Sequence, residues 1–265
     1  MTATLEAPTP SDTNAAVALS GVRKVFGHGA NAVVALDGVD LRVAPGEFVC
    51  LLGASGCGKS TLLNLVAGLD APTSGDIALT TSRPAVMFQE AALMPWLTAA
   101  RNVELPLRLA GLKRGARRAK ASELLSLVRL GEAGGKRPHE LSGGMRQRVA
   151  LARALASTLG SAEAGTPGLL LMDEPFAALD AITRDVLQAE LVRVWRETDT
   201  AIVFVTHDVR EAVRLGQRVV LLSSRPGRVV REWDVDGLAG SDEADTIEEI
   251  TTHLREVISG HAAAS

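Results

Sequence analysis

Short apolar runs recur along the chain, and several are continuous rather than alternating with polar residues. The runs at 169–172 and Ala201–Val205 contain only apolar side chains. Continuous runs of this length predict strands that are buried on both faces, as in a mostly parallel sheet covered by helices. The other predicted strands are Val17–Phe26, Val33–Val43, Phe48–Leu52, 77–79, 85–88 and 219–222.

Helical spacing of apolar residues lies between these runs. It marks 59–68 and 182–197, and it dominates a long stretch from about 91 to 145, where no strand is predicted. The predicted fold class is therefore α/β. It combines a mostly parallel sheet, an antiparallel edge layer formed by the early strands, and a helical subdomain at about 91–145.

The two ends of the chain differ from the central part, 16–237, which is predicted to be one domain. Residues 1–15 are predicted to form a flexible N-terminal tail, because their small and polar side chains offer nothing to bury. Residues 238–265 place apolar side chains at helical spacing, which predicts a C-terminal amphipathic helix followed by a short tail.

Composition excludes several classes of protein. Apolar residues make up 46% and charged residues 22% of the 265 residues, as in ordinary globular proteins. A net charge of −3 gives no overall basic field for nucleic acid or acidic lipid. Two cysteines cannot form a disulfide framework, and no apolar stretch approaches the roughly 18 residues that cross a bilayer. With no secretion signal evident, these features predict a soluble protein of a reducing compartment.

A glycine-rich segment at 53–61 is the first candidate for a ligand-binding site. It matches GxxxxGK[ST], follows a predicted strand and opens a predicted helix, so its backbone N–H groups can cradle phosphates. Lys59 can then reach the β- and γ-phosphates, and the Ser60 hydroxyl can ligate Mg²⁺. A chance match in a chain of this length has odds of about one in a hundred, so we predict nucleotide binding. The predicted phosphate cradle consists of Gly53, Ala54, Ser55, Gly56, Cys57, Gly58, Lys59, Ser60 and Thr61.

Other candidates stand where predicted strands end, which is where ligand sites of open parallel sheets collect. Asp173 can hold the Mg²⁺ hydration shell, and Glu174 can orient and deprotonate an attacking water. His207 places an imidazole at the same edge, and the Gln89 amide can touch metal and water. Taken singly, each has a plain alternative, such as an acid marking where a strand meets solvent, but their joint occurrence favours a catalytic site.

A second glycine-containing helix start lies at 141–148. Ser142 is a good N-cap, and Gly143 and Gly144 allow close backbone approach. On spacing alone this segment is either a second anion-binding helix start or a capped helix with no ligand.

With this segment, the chain resembles the ATP-binding subunit of ABC transporters over nearly all of 17–233. Six motifs agree in kind and order: the P-loop, the glutamine loop at Gln89, the signature at 141–147, the acidic strand at 169–174, the turn at 178–180 and the switch histidine His207. The resemblance implies a head-to-tail homodimer with two ATP molecules between the subunits. The P-loop of one copy would then face Ser142, Gly143 and Gly144 of the other.

The same resemblance implies a role for each matched residue. Glu174 is the general base, Asp173 supports Mg²⁺ together with Ser60 and Gln89, and His207 contacts the γ-phosphate. Asp180 couples the two nucleotide sites. Phe26 stands where the family stacks an aromatic ring on adenine, although a plain core phenylalanine is the alternative.

Three further segments resemble the branch that imports nitrate, sulfonates and taurine: 87–96, 172–176 and 222–228. That branch implies a transmembrane permease partner, an indirect partnership with a solute-binding protein, and a place on the cytoplasmic face of the cell membrane. The apolar residues at 93–97 either dock the permease or pack inside the helical subdomain. A small-residue insertion at 157–168 is predicted to be a surface loop.

The rival functions are a non-transport ABC ATPase of DNA repair or ribosomes, an importer of another small solute, and a regulator that merely binds ATP. Non-transport members typically join two cassettes or carry a long coiled coil, and this chain shows neither. The basic run at 113–120 is either a nucleic-acid contact or a solvated helix face, and we predict the latter. A complete hydrolytic set including Glu174 would have no use in a mere ATP-binding regulator.

Overall fold

The structure is a computed structural model that describes residues 15–80, 84–163, 168–177, 179–198 and 200–262. The strands are β1 (Val17–Phe26), β2 (Val33–Val43), β3 (Phe48–Leu52), β4 (Ser74–Leu79), β5 (Ala85–Met87), β6 (Leu169–Asp173), β7 (Ala201–Val205), β8 (Arg218–Leu222) and β9 (Val229–Asp234). The helices are α1 (Lys59–Val66), α2 (Ala99–Leu109), α3 (Arg114–Leu127), α4 (Gly143–Glu163), α5 (Ala181–Glu197), α6 (Val209–Leu215) and α7 (Ser241–Ala262).

A six-stranded sheet of order β5-β6-β7-β3-β8-β9 forms the centre of the fold. Its first five strands run parallel, and β9 pairs antiparallel with β8. Successive side chains of the parallel strands enter two different cores. In β3, for example, Cys50 lies in one core and Val49 in the other, and both are fully buried. The continuous apolar runs of the sequence are thus strands covered on both faces.

The early strands form a separate antiparallel sheet of order β2-β1-β4. Its inner face shares one core with α1 and with one face of the large sheet. The predicted α/β class with an antiparallel edge layer is therefore confirmed.

Helices α2, α3 and α4 pack together on the other face of the large sheet. Asn102 of α2 is fully buried, and its side chain bonds the backbone of the preceding turn. Its Oδ1 accepts from Met94 N at 2.8 Å, and its Nδ2 donates to the carbonyls of Leu97 and Thr98 at 3.2 and 3.0 Å. These bonds hold the turn so that Leu93 packs on the core while Trp96 stays 67% exposed.

One sequence expectation was wrong, and one strand was not predicted. The predicted surface loop at 157–168 is helical as far as Glu163, because the four-residue apolar spacing of Leu151, Leu155 and Leu159 continues α4 over the core. Strand β9 was not predicted, because its edge position leaves most of its side chains exposed and only Trp233 buried. Residues 1–14, 164–167 and Ala178, on which other expectations rest, lie outside the described residues.

Candidate functional site

The P-loop turns tightly between β3 and α1. Gly58 is the N-cap of α1 and has a φ of 106°, a conformation that favours glycine. A Cβ atom placed there would lie 2.7 Å from Leu36 Cδ2 and 3.0 Å from the Ala35 carbonyl oxygen. The loop geometry therefore requires glycine at this position.

Lys59 places its ammonium group at the centre of the loop. Its Nζ donates to the carbonyl oxygens of Gly53 at 2.7 Å and Ala54 at 2.9 Å, and the residue is only 6% exposed. The loop thus positions a buried cation beside its own backbone, where it can reach a bound phosphate.

A cavity of about 470 Å³ opens at the carboxyl ends of the parallel strands. The five parallel strands β5, β6, β7, β3 and β8 all lead to this cavity, as expected for ligand sites of open parallel sheets. Its lining comprises Phe26, Val33, Ala35, Ser55, Gly56, Gly58, Lys59, Ser60, Thr61, Gln89, Asp173, Glu174, His207 and Arg225. The sequence-predicted residues Gln89, Asp173, Glu174 and His207 are therefore brought together with the P-loop.

Asp173 is the last residue of β6 and is partly buried. Burial raises its pKa, and the charge of Glu174 adds to the shift. The Ser60 hydroxyl and the Lys59 ammonium oppose the shift, since both stabilise the carboxylate.

Glu174 adopts a left-handed backbone conformation with a φ of 44°. Such a conformation is strained for a residue with a side chain and is typical of functional sites. Its N–H donates to the Val205 carbonyl at 3.0 Å, which anchors it against β7. Its Oε2 lies 3.1 Å from Nδ1 of His207, so the acid and the imidazole form a hydrogen-bonded pair at the cavity wall.

Glu211 of α6 accepts hydrogen bonds that fix the loop carrying His207 against α5. The Thr206 hydroxyl donates to Glu211 Oε2, and Gln188 Nε2 of α5 donates to Glu211 Oε1 at 2.7 Å. Burial raises the pKa of Glu211, while the bonds from Thr206 and Gln188 oppose this shift. This partly buried carboxylate was not predicted, because its position four residues after His207 on a short helix was its only signal in the sequence.

The glutamine loop is tied to the signature helix. Gln147 of α4 is buried, and its Nε2 donates to the Gln89 carbonyl at 3.2 Å. Arg153 of the same helix donates to the carbonyls of Ala91 and Ala92 at 3.0 and 2.8 Å. Helix α4 therefore holds the backbone of 89–92 by side chains on successive turns.

The signature turn lies apart from the cavity. Ser142 precedes α4 and its Oγ accepts from Met145 N at 3.3 Å, as expected for an N-cap. Ser142 and Gly143 are exposed. Among the described residues that line the cavity, none belongs to 141–147.

Comparison with known proteins identifies the family. The model of the ABC transporter family matches residues 36–177. The taurine import ATP-binding protein TauB of Chromobacterium violaceum is 47% identical over 221 residues, which are 81% of this chain and 82% of that protein. The chain belongs to the ABC transporter family.

Other relatives and solved structures agree. TauB of Rhizobium johnstonii is 48% identical over 77% of this chain and 78% of its own length. The uncharacterized ABC transporter ATP-binding protein MJ0412 of Methanocaldococcus jannaschii is 44% identical over 82% of this chain and 81% of its own. The dimeric structure of the bacterial ABC transporter cassette MJ0796 superposes with a TM-score of 0.74 at 35% identity, covering 84% of this chain and all of that one. A dimeric MJ0796 structure bound to ADP and Pi gives 0.73 at 34% identity, with the same coverage.

Two further motif residues of the ABC family occupy exposed positions in this chain. Phe26 is 45% exposed on the cavity wall with Lys24 Nζ 5.0 Å from its ring centre, so it is not a core residue. Asp180 caps α5 by accepting from Thr183 N at 2.9 Å, and that bond holds its pKa below the usual value.

Three residues of the predicted cradle do not line the cavity. Gly53 and Ala54 contribute the carbonyls that bind Lys59. The Cys57 side chain points inward and is 1% exposed. A thiol beside Lys59 and a helix N-terminus has a sequence position that favours high reactivity, but the burial of Cys57 removes the access that reactivity requires.

The donor set at the cavity edge fits Mg²⁺ rather than a softer metal. The oxygen groups of Ser60, Gln89 and Asp173 line the same wall, and Mg²⁺ prefers oxygen ligands and keeps several waters. No group of three or more His, Cys, Asp or Glu suited to a metal occurs in the part of the chain that the structure describes.

Within the same described ranges, no helix is long and apolar enough to cross a membrane.

Proposed function

We propose that this chain is the ATP-hydrolysing subunit of an ABC importer for a small sulfonate-type solute such as taurine. The observation that carries the proposal is the convergence of Lys59, Asp173, Glu174 and His207 on one cavity. The identity of about 47% to taurine import ATP-binding proteins supports the branch. Nitrate and other sulfonates remain the alternative solutes of that branch.

Each residue of the cavity has a task in the proposed hydrolysis. The P-loop N–H groups and Lys59 bind and orient the triphosphate. Glu174 accepts a proton from the attacking water, and the imidazole of His207, bonded to it through Nδ1, orients that carboxylate. Phe26 offers its exposed ring face to the adenine.

Mg²⁺, when bound, neutralises developing charge on the phosphates. Ser60, Gln89 and Asp173 would hold it. Burial disfavours the charged form of Asp173, so a cation beside it relieves that penalty.

We further propose that the working unit is a head-to-tail homodimer. The signature residues Ser142, Gly143 and Gly144 are placed outside the cavity of their own copy, so they are free to complete the cavity of a second one. The solved relatives MJ0796 are described as dimeric. In this arrangement Asp180, at the start of α5, is the residue proposed to couple the two sites.

The proposed membrane partner is a transmembrane permease, which in turn meets a solute-binding protein. The exposed Trp96 at the turn held by Asn102 offers it an apolar contact. The chain would then act as a peripheral subunit on the cytoplasmic face of the membrane. Nucleic acid is not a proposed partner, because Arg117 and Lys120 of the basic run pair with Glu104 and Glu123 at 3.3 and 3.0 Å.

The variant Glu174→Gln tests the proposed hydrolysis. Loss of the general base should lower ATP turnover by at least about 10²-fold while ATP-dependent dimers accumulate. Phosphate release and size-exclusion chromatography with and without ATP measure the two effects. The exposed Glu132→Gln is the matched control and should behave as wild type. Normal turnover by Glu174→Gln would refute the assignment, and loss of labelled taurine uptake in cells carrying it would support the branch.

A further inference from the structure

The segment 222–228, one of the three that resemble the importer branch, forms a tight hairpin after β8. Ser223 N donates to the Arg228 carbonyl at 2.8 Å. The Ser223 hydroxyl donates to the Pro226 carbonyl at 2.7 Å and accepts from Arg228 N at 2.9 Å. Both the backbone and a side chain therefore close the hairpin.

The hairpin is also packed directly on the P-loop and β2. Gly227 N donates to the Ala35 carbonyl at 2.8 Å, and Asp37 N donates to the Gly227 carbonyl at 3.0 Å. A Cβ atom at Gly227 would lie 2.3 Å from the Cys57 carbonyl oxygen, so only glycine permits this approach. Arg228 forms an ion pair with Asp37. The hairpin and the phosphate cradle thus form one rigid unit.

This packing places Arg225 in the nucleotide cavity. Its side chain lines the cavity, and its Nη2 lies 3.4 Å from the Gly56 carbonyl oxygen. Gly56 belongs to the phosphate cradle, so the guanidinium lies beside the cradle. Within the described residues no carboxylate pairs with Arg225, whereas Arg218 and Arg228 both have ion pairs.

We infer that Arg225 binds the polyphosphate of the nucleotide, as a second cation in the cavity of Lys59 that is supplied from outside the P-loop. The inference rests on the proposed nucleotide cavity and assigns one more binding residue to it. A guanidinium forms paired hydrogen bonds to phosphate oxygens and stays charged throughout the physiological pH range. Its one long bond to Gly56 leaves most of its five N–H donors available to a ligand.

The position of Arg225 also fits the sheet. Strands β5, β6, β7 and β3 deliver Gln89, Asp173, His207 and the P-loop to the cavity, and β8 is the last parallel strand of the row. With Arg225, every parallel strand end contributes a polar group to the same site.

The test compares nucleotide affinity in the full chain by calorimetry with ATP, ADP and AMP. Arg225→Ala should weaken ATP binding by about tenfold and AMP binding by less than about twofold, because the contact is to the β- or γ-phosphate. Arg225→Lys should recover part of the affinity, since it restores charge without the planar donors. The exposed Arg108→Ala, outside the cavity, is the control and should match wild type.

Three results would overturn the inference. One is wild-type ATP affinity in Arg225→Ala under conditions where Lys59→Ala loses binding, and the proposed nucleotide function would then stand. The second is an equal loss for ATP and AMP, which indicates general damage to the cavity. The third is a wild-type chain that binds no ATP, which would overturn the proposed function as well.

Discussion

The P-loop and the signature turn are both glycine-containing helix starts, yet their surroundings are opposite. In the P-loop, a Cβ atom at Gly58 would collide with Leu36 and Ala35 of the same chain. In the signature turn, the nearest atom to a Cβ at Gly143 is Arg146 Nη2, at 3.9 Å. The packing of Leu36 and Ala35 within the same chain therefore requires glycine at position 58. Nothing within the described chain requires glycine at position 143, whereas the proposed head-to-tail dimer would bring a second molecule against it.

The largest expected effect comes from making one substitution at both places. Gly58→Ala combines a φ of 106° with a close contact, so it should lower the free energy of unfolding by about 3 kcal/mol and abolish ATP binding. In Gly143→Ala the added methyl group has no close neighbour, so the free energy of unfolding and ATP binding by the monomer should stay unchanged, while ATP-dependent dimers weaken. Thermal unfolding, calorimetry and size-exclusion chromatography measure the three quantities. Equal destabilisation by both variants would remove the contrast between the two turns.

Asp173 gives a smaller expected effect, which tests whether the buried carboxylate of the cavity lowers folding stability. Its folded-state pKa is raised, mainly by burial, so the ionised form is less stable in the folded chain than in the unfolded one. Stability should therefore fall as pH rises from the ordinary carboxyl pKa through the raised one. Asp173→Asn should raise the melting temperature at pH values above the ordinary carboxyl pKa and flatten this pH dependence, while ATP turnover with Mg²⁺ is lost.

The matched control for Asp173 is Asp185→Asn, an exposed acid on α5. It should leave both melting temperature and turnover close to wild type. A lower melting temperature for Asp173→Asn, or an unchanged slope against pH, would contradict the burial argument.

Substitutions of Asp180 have the smallest expected effect. They distinguish a residue that only caps α5 from one that also couples the two nucleotide sites. Asp180→Ala removes the bond to Thr183 N and should lower stability slightly, as loss of an exposed N-cap does. Asp180→Asn keeps an N-cap acceptor and should restore that stability. If Asp180 also couples the two sites, both variants lower the cooperativity of ATP hydrolysis. Restored cooperativity in Asp180→Asn would limit the residue to its capping role.

Much of the fold was predictable because the strands are apolar runs, which are continuous in β3 and β7 and interrupted by polar residues in β1 and β2. The predicted bounds of β1, β2, β3 and β7 coincide with the structure. Strand β9 escaped prediction, since an exposed edge strand such as Val229–Asp234 carries charged residues at positions where a buried strand has apolar ones. The helical end of α4 escaped because small residues look like loop residues until they are seen to continue an apolar spacing.

The site was predictable where one local motif or one strand end defines it. The P-loop, Gln89, Asp173, Glu174 and His207 follow from that rule, and the structure brings them to one cavity. Arg225 obeys the same rule for β8, but its approach depends on the packing of Gly227 against the P-loop, which has no sequence signal. Gln147 and Glu211 act through long-range hydrogen bonds that spacing does not reveal.

Helix α4 begins at the signature glycines, and one turn later the side-chain amide of Gln147 donates to the backbone carbonyl of Gln89. One helix therefore connects the glutamine loop to the signature turn. In the proposed head-to-tail dimer, a shift of the 89–92 segment would move the signature end of this helix, which would face the nucleotide of the second copy. A displacement imposed on one copy by the proposed permease would then reach the nucleotide site of the other.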